Sequence, residues 1–201
     1  IEVQLLGPLV IRRDGRAHKL PASRKVRALF AYLALAPFAV SRSQLCELFW
    51  DVPNDPRGEL RWCLSKIRSI FDERSGRPIE ARDDTIRLDL SDCSVDAIEI
   101  ARTAEQGMAS LAPERQWTLA TLFNGDFLQG LEITRSHAFN GWLTAQRRRF
   151  RGCHAALLEH LVRSVPDEEA FGYLDRTRGE CDEAGANAFL PSFVERYNAR
   201  F

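Results

Sequence analysis

The stretch DPRGELRWCLSKIRSIF, residues 55–71, has the pattern of one amphipathic helix. At 100° per residue its side chains separate into an apolar arc and a basic face. The arc collects Leu60, Cys63, Leu64, Ile67, Ile70 and Phe71, and the other side collects Arg57, Arg61, Ser65 and Arg68. Asp55 is a suitable N-cap and Pro56 suits the first helical position. The pattern therefore predicts a helix over residues 56–71 with a basic outer face.

Two further side chains of this helix, Trp62 and Lys66, project away from the apolar arc. A large aromatic side chain on a polar helix face needs a partner, such as a DNA surface or another domain. Two alternatives stay open. Trp62 packs against the second half of this chain, or the whole face is an ordinary solvated helix surface.

The composition is that of a globular protein with a core. The 201 residues are 45% hydrophobic and 28% charged, which allows one large domain or two small ones. No apolar run is long enough to span a bilayer and no signal peptide is evident, so we expect a soluble, cytoplasmic protein without membrane partners. The five cysteines form no CxxC pair and the four histidines no HExxH motif, which predicts reduced thiols, no metal site and no cofactor.

The charges are unevenly spread along the chain, although the formal net charge is zero. Residues 1–90 hold 16 Lys and Arg against 12 Asp and Glu, whereas residues 91–201 hold 12 against 16. This modest contrast favours contact between the first half and a polyanion.

The first part of the chain, residues 1–92, is predicted to be a mainly helical winged helix-turn-helix domain. Short strands are expected over residues 2–6, 9–13 and 17–20, followed by helices over residues 24–35 and from Ser41 onward, where Gln44 completes a capping box. The basic helix comes next, and residues 79–90 read as a hairpin with Asp83 and Asp84 at its tip. Three helices followed by a hairpin make the winged form of the motif, with a small N-terminal β-sheet and a C-terminal wing.

The second part, residues 93–201, is predicted to be all helical and similar to tetratricopeptide repeats. Helices are expected over residues 94–106, 113–123 and 137–164, with one or two more in residues 165–201. A buried stripe is expected along the long helix, formed by Phe139, Trp142, Leu143, Phe150, Cys153, Leu157, Leu158, Leu161 and Val162.

Several blocks of the sequence resemble a known family. LLGPLVIRRDG, SRKVRALFAYLAL, VSRSQLCELFW, ELRWCLSKIR and IEARDDTIRLDL are similar, in order and spacing, to the winged-helix domain of the Streptomyces antibiotic regulatory proteins (the SARP family), itself of the OmpR/PhoB type. NGDFLQGLEI and AFNGWLTAQRRRFR resemble the bacterial transcriptional activation domain (BTAD) of the same family. The resemblance implies a transcriptional activator that binds double-stranded DNA.

The resemblance also assigns the site. It implies that the groove-facing residues of the basic helix are Arg57, Arg61, Trp62, Ser65, Lys66 and Arg68. An ion pair with Asp72 is an alternative role for Arg68. At the start of the second helix, Ser41, Arg42 and Ser43 suit a backbone phosphate, because helix N-termini bind anions, although a plain N-cap explains Ser41 equally well.

The hairpin departs from the family at its tip. Relatives usually have a Gly-x-Gly-Tyr sequence there, whereas this chain has Asp83 and Asp84, with Arg82 and Arg87 on the arms. The two carboxylates lie near the expected phosphates. Together with the exposed Trp62, they motivate the competing hypothesis, a winged helix that no longer binds DNA and serves as a docking scaffold in a larger signalling protein.

A second arginine cluster lies in the long helix, at Arg147, Arg148, Arg149 and Arg151. Because these residues spread around the helix, we interpret them as a solvated face or as contacts to acidic neighbours. No phosphate loop, nucleophile elbow or convincing carboxylate pair occurs, so we do not expect an enzyme within these residues.

The sequence thus predicts a sequence-specific DNA-binding regulator with the basic helix in the major groove. By resemblance, the helical half supplies contacts for a homodimer on direct repeats or for the sigma subunit of RNA polymerase. The docking scaffold stays open as the alternative.

Overall fold

The computed structural model describes residues 1–51, 55–71 and 78–164. The strands of its first sheet are β1 (Glu2–Gln4), β2 (Val10–Arg13), β3 (Arg16–Ala17) and β7 (Ser94–Val95). They lie in the order β3-β2-β1-β7. The turn between β2 and β3 places Asp14 and Gly15 at φ 50° and 74°, the conformation of a tight hairpin. The third strand is therefore shorter and earlier than the predicted residues 17–20.

Three helices and a hairpin follow. They are α1 (Arg24–Leu35), α2 (Arg42–Phe49), α3 (Pro56–Arg68), and the strands β5 (Ile79–Arg82) and β6 (Thr85–Leu88). A short strand before α2, β4 (Val40–Ser41), pairs with β6 and makes the second sheet, of order β4-β6-β5. This is the arrangement of a winged helix.

The predicted helix over residues 56–71 ends early, because the chain tightens after Arg68. The amide of Ile70 donates to the carbonyl of Ile67 at 3.0 Å, and the amide of Phe71 donates to that of Arg68 at 3.2 Å. Both are bonds of a tightened final turn. Ile70 and Phe71 are nevertheless buried, as the apolar arc predicts.

The second part of the described chain is helical after β7. It contains α4 (Asp96–Gln106), a 3-10 turn (Met108–Ser110), α5 (Pro113–Ala120) and α6 (His137–Ser164). The predicted helix at 94–106 was wrong at its start, because Ser94 and Val95 join the first sheet, and the helix predicted at 113–123 ends at Ala120. None of the helices in the described ranges is both long and apolar enough to cross a membrane.

The stripe of α6 is buried as predicted at Phe139, Leu143, Phe150, Leu157 and Leu161, and half-buried at Trp142, Cys153 and Leu158. The side chain of Val162 and the further helices predicted in residues 165–201 lie outside the described residues. The division of the chain at residue 92 stays a prediction.

Aromatic contacts join α6 to the winged helix. The rings of Phe49 and Phe139 lie 5.1 Å apart between centroids, and those of Tyr32 and Trp142 lie 5.0 Å apart. The hydroxyl of Ser136 donates to the carbonyl of Leu48 at 2.9 Å. Such ring pairs add to the burial of apolar area, so α1, α2 and α6 share one core.

A buried carboxylate, that of Asp96, ties the start of α4 to the first sheet. It accepts the amides of Leu5 at 2.8 Å and Leu6 at 2.9 Å, and that of Ala97 at 2.6 Å. Beside it, Val95 pairs in parallel with Val3. Burial raises the pKa of the Asp96 carboxyl from 3.8 to about 6, although the three amides act to lower it.

Replacing Asp96 by alanine is expected to lower the free energy of unfolding by about 2–4 kcal/mol, because three buried amides lose their acceptor. Urea denaturation measures this loss. The matched control is Asp92→Ala, which removes an exposed carboxylate from the preceding turn and is expected to cost less than about 0.5 kcal/mol. Equal effects of the two substitutions would contradict the role given to Asp96.

The raised pKa of Asp96 also predicts a pH dependence. Between the unfolded value of 3.8 and the folded value of about 6, the folded state binds this proton more tightly, so the stability contributed by Asp96 falls as pH rises. The free energy of unfolding of the wild type minus that of Asp96→Asn should fall by up to about 3 kcal/mol from about pH 4 to about pH 7. If the difference in unfolding free energy between the wild type and Asp96→Asn stays constant with pH, burial does not raise the pKa of the Asp96 carboxyl.

Candidate nucleic-acid interface

The orientation of α3 follows from its cap and its apolar arc. The carboxylate of Asp55 accepts the amide of Gly58 at 2.8 Å, and Pro56 occupies the first turn, so the sequence fixes where the helix begins. The side chains buried along α3 are Leu60, Cys63, Leu64 and Ile67, each 2% exposed or less, and α3 packs on α1 and α2. Once this arc is buried, the opposite side of α3 must face solvent.

All six residues assigned to the groove lie on that exposed side: Arg57, Arg61, Trp62, Ser65, Lys66 and Arg68. We call this set the basic face. None of its four cations forms an ion pair within the ranges that the structure describes. The Asp72 partner considered for Arg68 lies outside those ranges.

Trp62 is 51% exposed at the centre of the basic face. The ammonium of Lys66 lies 5.7 Å from the centroid of its indole, a cation–π distance, and the hydroxyl of Ser65 donates to its carbonyl at 2.7 Å. The described part of the second half does not cover the indole.

The start of α2 is closed by a capping box, as predicted. The Ser41 hydroxyl accepts the amide of Gln44 at 3.1 Å, and the Gln44 side chain accepts the amide of Ser41 at 3.2 Å. Ser43 is exposed, whereas Ser41 and Arg42 are half-buried. The cap explains Ser41 fully, so Ser43 and Arg42 are the better candidates for a phosphate contact.

The wing, which is the hairpin of β5 and β6, is held against the start of α2 by backbone hydrogen bonds. Ser41 pairs with Thr85 between β4 and β6, and the amide of Arg42 donates to the carbonyl of Asp84 at 2.8 Å. Asp83 and Asp84 form the exposed tip, with Asp83 at φ 49°, a left-handed conformation that aspartate tolerates. The predicted hairpin and its acidic tip are therefore both present.

The two arginines assigned to the wing, Arg82 and Arg87, are exposed on its arms. Arg82 lies 4.0 Å from the carboxylate of Glu80 on the same strand, and Thr85 donates its hydroxyl to the carbonyl of Arg82 at 2.9 Å. All predicted site residues therefore lie on three adjoining parts of the structure: the basic face of α3, the start of α2 and the wing.

One set of contacts near the start of α3 was not predicted from the sequence. The indole N–H of Trp50 donates to the carboxylate of Glu59 at 2.7 Å, and the ammonium of Lys25 lies 4.0 Å from that carboxylate and 5.0 Å from the Trp50 ring centroid. These residues come from α1, the end of α2 and the first turn of α3. No periodic pattern links them in sequence, since only the fold brings them together.

The arginines of α6 bind acidic neighbours, as the sequence suggested. Arg147 pairs with Glu132 at 2.7 Å and donates to the carbonyls of Phe127 and Leu128 at 3.0 Å, and its side chain holds the pKa of Glu132 below the usual range. Arg149 lies 3.8 Å from Glu105, and Arg151 pairs with Asp126. Arg147, Arg149 and Arg151 thus contact acidic neighbours, whereas Arg148 is exposed.

The four cysteines in the described ranges are free thiols. Burial raises the pKa of the Cys63 thiol to about 11 and also raises the pKa of Cys46, Cys93 and Cys153, so these thiols stay protonated at neutral pH. Within the same ranges, no group of three or more His, Cys, Asp or Glu side chains is placed to hold a metal ion.

The chain was compared with known families, curated proteins and solved structures. No family profile and no curated protein match the sequence. A solved structure, Mycobacterium tuberculosis EmbR in complex with a low-affinity phosphopeptide, matches with a TM-score of 0.61 and 20% sequence identity. The match covers 88% of this chain and 51% of the EmbR chain, so the present chain spans about half of that protein. At this identity the likeness shows a shared fold.

Because Trp62 lies on the surface, Trp62→Ala should change the free energy of unfolding by less than about 0.5 kcal/mol. Chemical denaturation followed by circular dichroism measures this. The contrasting substitution is Trp50→Ala, which removes a side chain that is 6% exposed and is expected to cost about 3 kcal/mol or more. A large loss for Trp62→Ala would mean that the indole is buried.

Proposed function

We propose that this chain is the DNA-binding part of a transcriptional regulator, an activator, with α3 seated in the major groove of double-stranded DNA. The observation that carries the proposal is the basic face. Its four cationic side chains and one indole are exposed, and the opposite side of α3 is buried in the core. DNA presents a dense row of phosphates together with base edges, and such a helix offers partners for both.

Three features support this assignment. Arginine and lysine contacts to phosphate supply affinity, whereas a bidentate arginine on guanine discriminates between bases by about 1–3 kcal/mol. The start of α2 and the wing flank α3, where a winged helix contacts the DNA backbone. The fold is also shared with EmbR.

The helical half is proposed to contact other proteins. By the same resemblance, its partners are a second copy of the chain and the sigma subunit of RNA polymerase, in the cytoplasm of a bacterium. All-helical layers of this kind bind partners by shape and do not imply catalysis, so no enzymatic activity is proposed for these residues.

The acidic wing tip favours a second candidate, the docking scaffold that does not bind DNA. Its two carboxylates would repel phosphates at the place where a wing usually meets them. An uncovered basic face counts against this candidate, and none of the described residues outside α3 lies over it.

Affinity for duplex DNA is expected to fall steeply with salt, because each neutralised phosphate contributes about −0.9 to the slope of log K against log salt concentration. The double variant Arg61→Ala, Lys66→Ala should weaken binding at least tenfold and make the slope shallower by about 1 to 2 units. Fluorescence anisotropy of a labelled duplex, titrated at several salt concentrations, measures both quantities.

The control variant also loses two positive charges, but at positions away from the basic face. Arg102→Ala, Arg148→Ala removes two exposed arginines from α4 and α6 and should leave the affinity and the slope close to those of the wild type. Binding that is absent, independent of salt, or lowered equally by both double variants would refute the assignment.

A further inference from the structure

The helix that carries the basic face contains a single acidic residue, Glu59, in its first turn. Residues three apart are neighbours on a helix surface, so Glu59 lies beside Trp62, at the border between the apolar arc and the basic face. The positions three and four residues away from Glu59 within α3 hold no cation. A partner for its carboxylate must therefore come from another element.

Two residues outside α3 hold this carboxylate. Trp50, which follows α2, donates its indole N–H to Oε2 of Glu59 at 2.7 Å, and Nζ of Lys25 in α1 lies 4.0 Å from the same oxygen. The apolar arc of α3 packs on these same two helices, so the carboxylate is drawn toward the core side of the border. The Glu59 side chain is 60% exposed, so burial alone does not fix its position.

The donor in this contact is immobile. Trp50 is buried, and its ring lies 6.0 Å from that of Phe49, which in turn contacts Phe139 of α6. A buried indole N–H needs an acceptor, and a hydrogen bond to a carboxylate is among the stronger ones in proteins. An exposed ion pair contributes less. The indole is therefore the main hold on Glu59, and Lys25 offsets the negative charge.

We propose that Trp50 is a positioning residue for DNA binding: its indole N–H keeps the Glu59 carboxylate beside Lys25 and away from the phosphates that the basic face meets. A carboxylate released toward the basic face would repel those phosphates and weaken the attraction of the neighbouring cations. The inference rests on the proposed function, since it requires the basic face to bind DNA. It adds a residue that acts through Glu59 without touching the DNA.

The first pair of variants changes Glu59 itself, on the surface, and leaves Trp50 in place. Glu59→Asp keeps the charge on a side chain one methylene too short to reach the indole, whereas Glu59→Gln removes the charge and keeps an oxygen that accepts the indole N–H. Glu59→Asp is expected to weaken binding of the whole chain to a labelled duplex about threefold at about 0.05 M salt. Glu59→Gln should stay within about twofold of the wild type, because Lys25 already offsets the charge.

The second pair tests the indole. Trp50→Phe retains an aromatic ring and removes the donor, so it should weaken binding about threefold at about 0.05 M salt and less than about 1.5-fold at about 0.3 M, where charges are screened more strongly. In the Glu59→Gln background the same substitution should change affinity by less than about 1.5-fold, since no charge is left to release. The control Trp142→Phe makes the same exchange in α6 and should have equal effects in both backgrounds.

The outcomes separate this inference from the proposed function. Weaker binding by Glu59→Asp and by Trp50→Phe, with the second loss absent beside Glu59→Gln, supports the positioning role. If Glu59→Asp binds as the wild type does, or if Trp50→Phe causes an equal loss in both backgrounds, the positioning role is overturned and DNA binding by α3 stands. A wild type that binds no duplex overturns both.

Discussion

The burial of the apolar arc of α3 against α1 and α2 is the contact on which the rest of the structure depends. Leu60, Leu64 and Ile67 are each 2% exposed or less, and fully burying one such side chain contributes roughly 1.5–3 kcal/mol. This contact fixes the rotation of α3 about its axis. The direction of the basic face is therefore set by the hydrophobic core, and no polar interaction on the face itself is needed to hold it.

The helical half supports this arrangement from behind. α6 packs on α2 through Phe49 and Phe139, and Asp96 binds the backbone of the first sheet at Leu5 and Leu6. The trio of Lys25, Trp50 and Glu59 joins α1, the end of α2 and the first turn of α3. Because these contacts lie away from the basic face, the surface offered to a ligand is separate from the interactions that stabilise the fold.

Periodic patterns predicted the helices well and the contacts between them poorly. Local chemistry sets the bounds of α1 and α6, the cap of α3 and the capping box of α2, so the sequence alone predicted these features. Ser94 and Val95 were predicted as helix because their parallel partners lie some ninety residues away in β1. The buried Asp96 carboxylate was missed for the same reason. The Trp50–Glu59 hydrogen bond was missed because it joins the end of one helix to the first turn of the next, which no periodic pattern records. The exposed site residues were predictable because a helix with one apolar arc has only one side left to expose.

The central claim is that the basic face reads DNA sequence. The most direct measurement is selection of bound duplexes from a random pool at one moderate salt concentration, with the wild type beside Arg61→Ala, Lys66→Ala. The wild type is expected to enrich a repeated motif, and the double variant is expected not to. A wild type that enriches nothing above background would contradict it, and the winged helix would then be a docking module for protein partners.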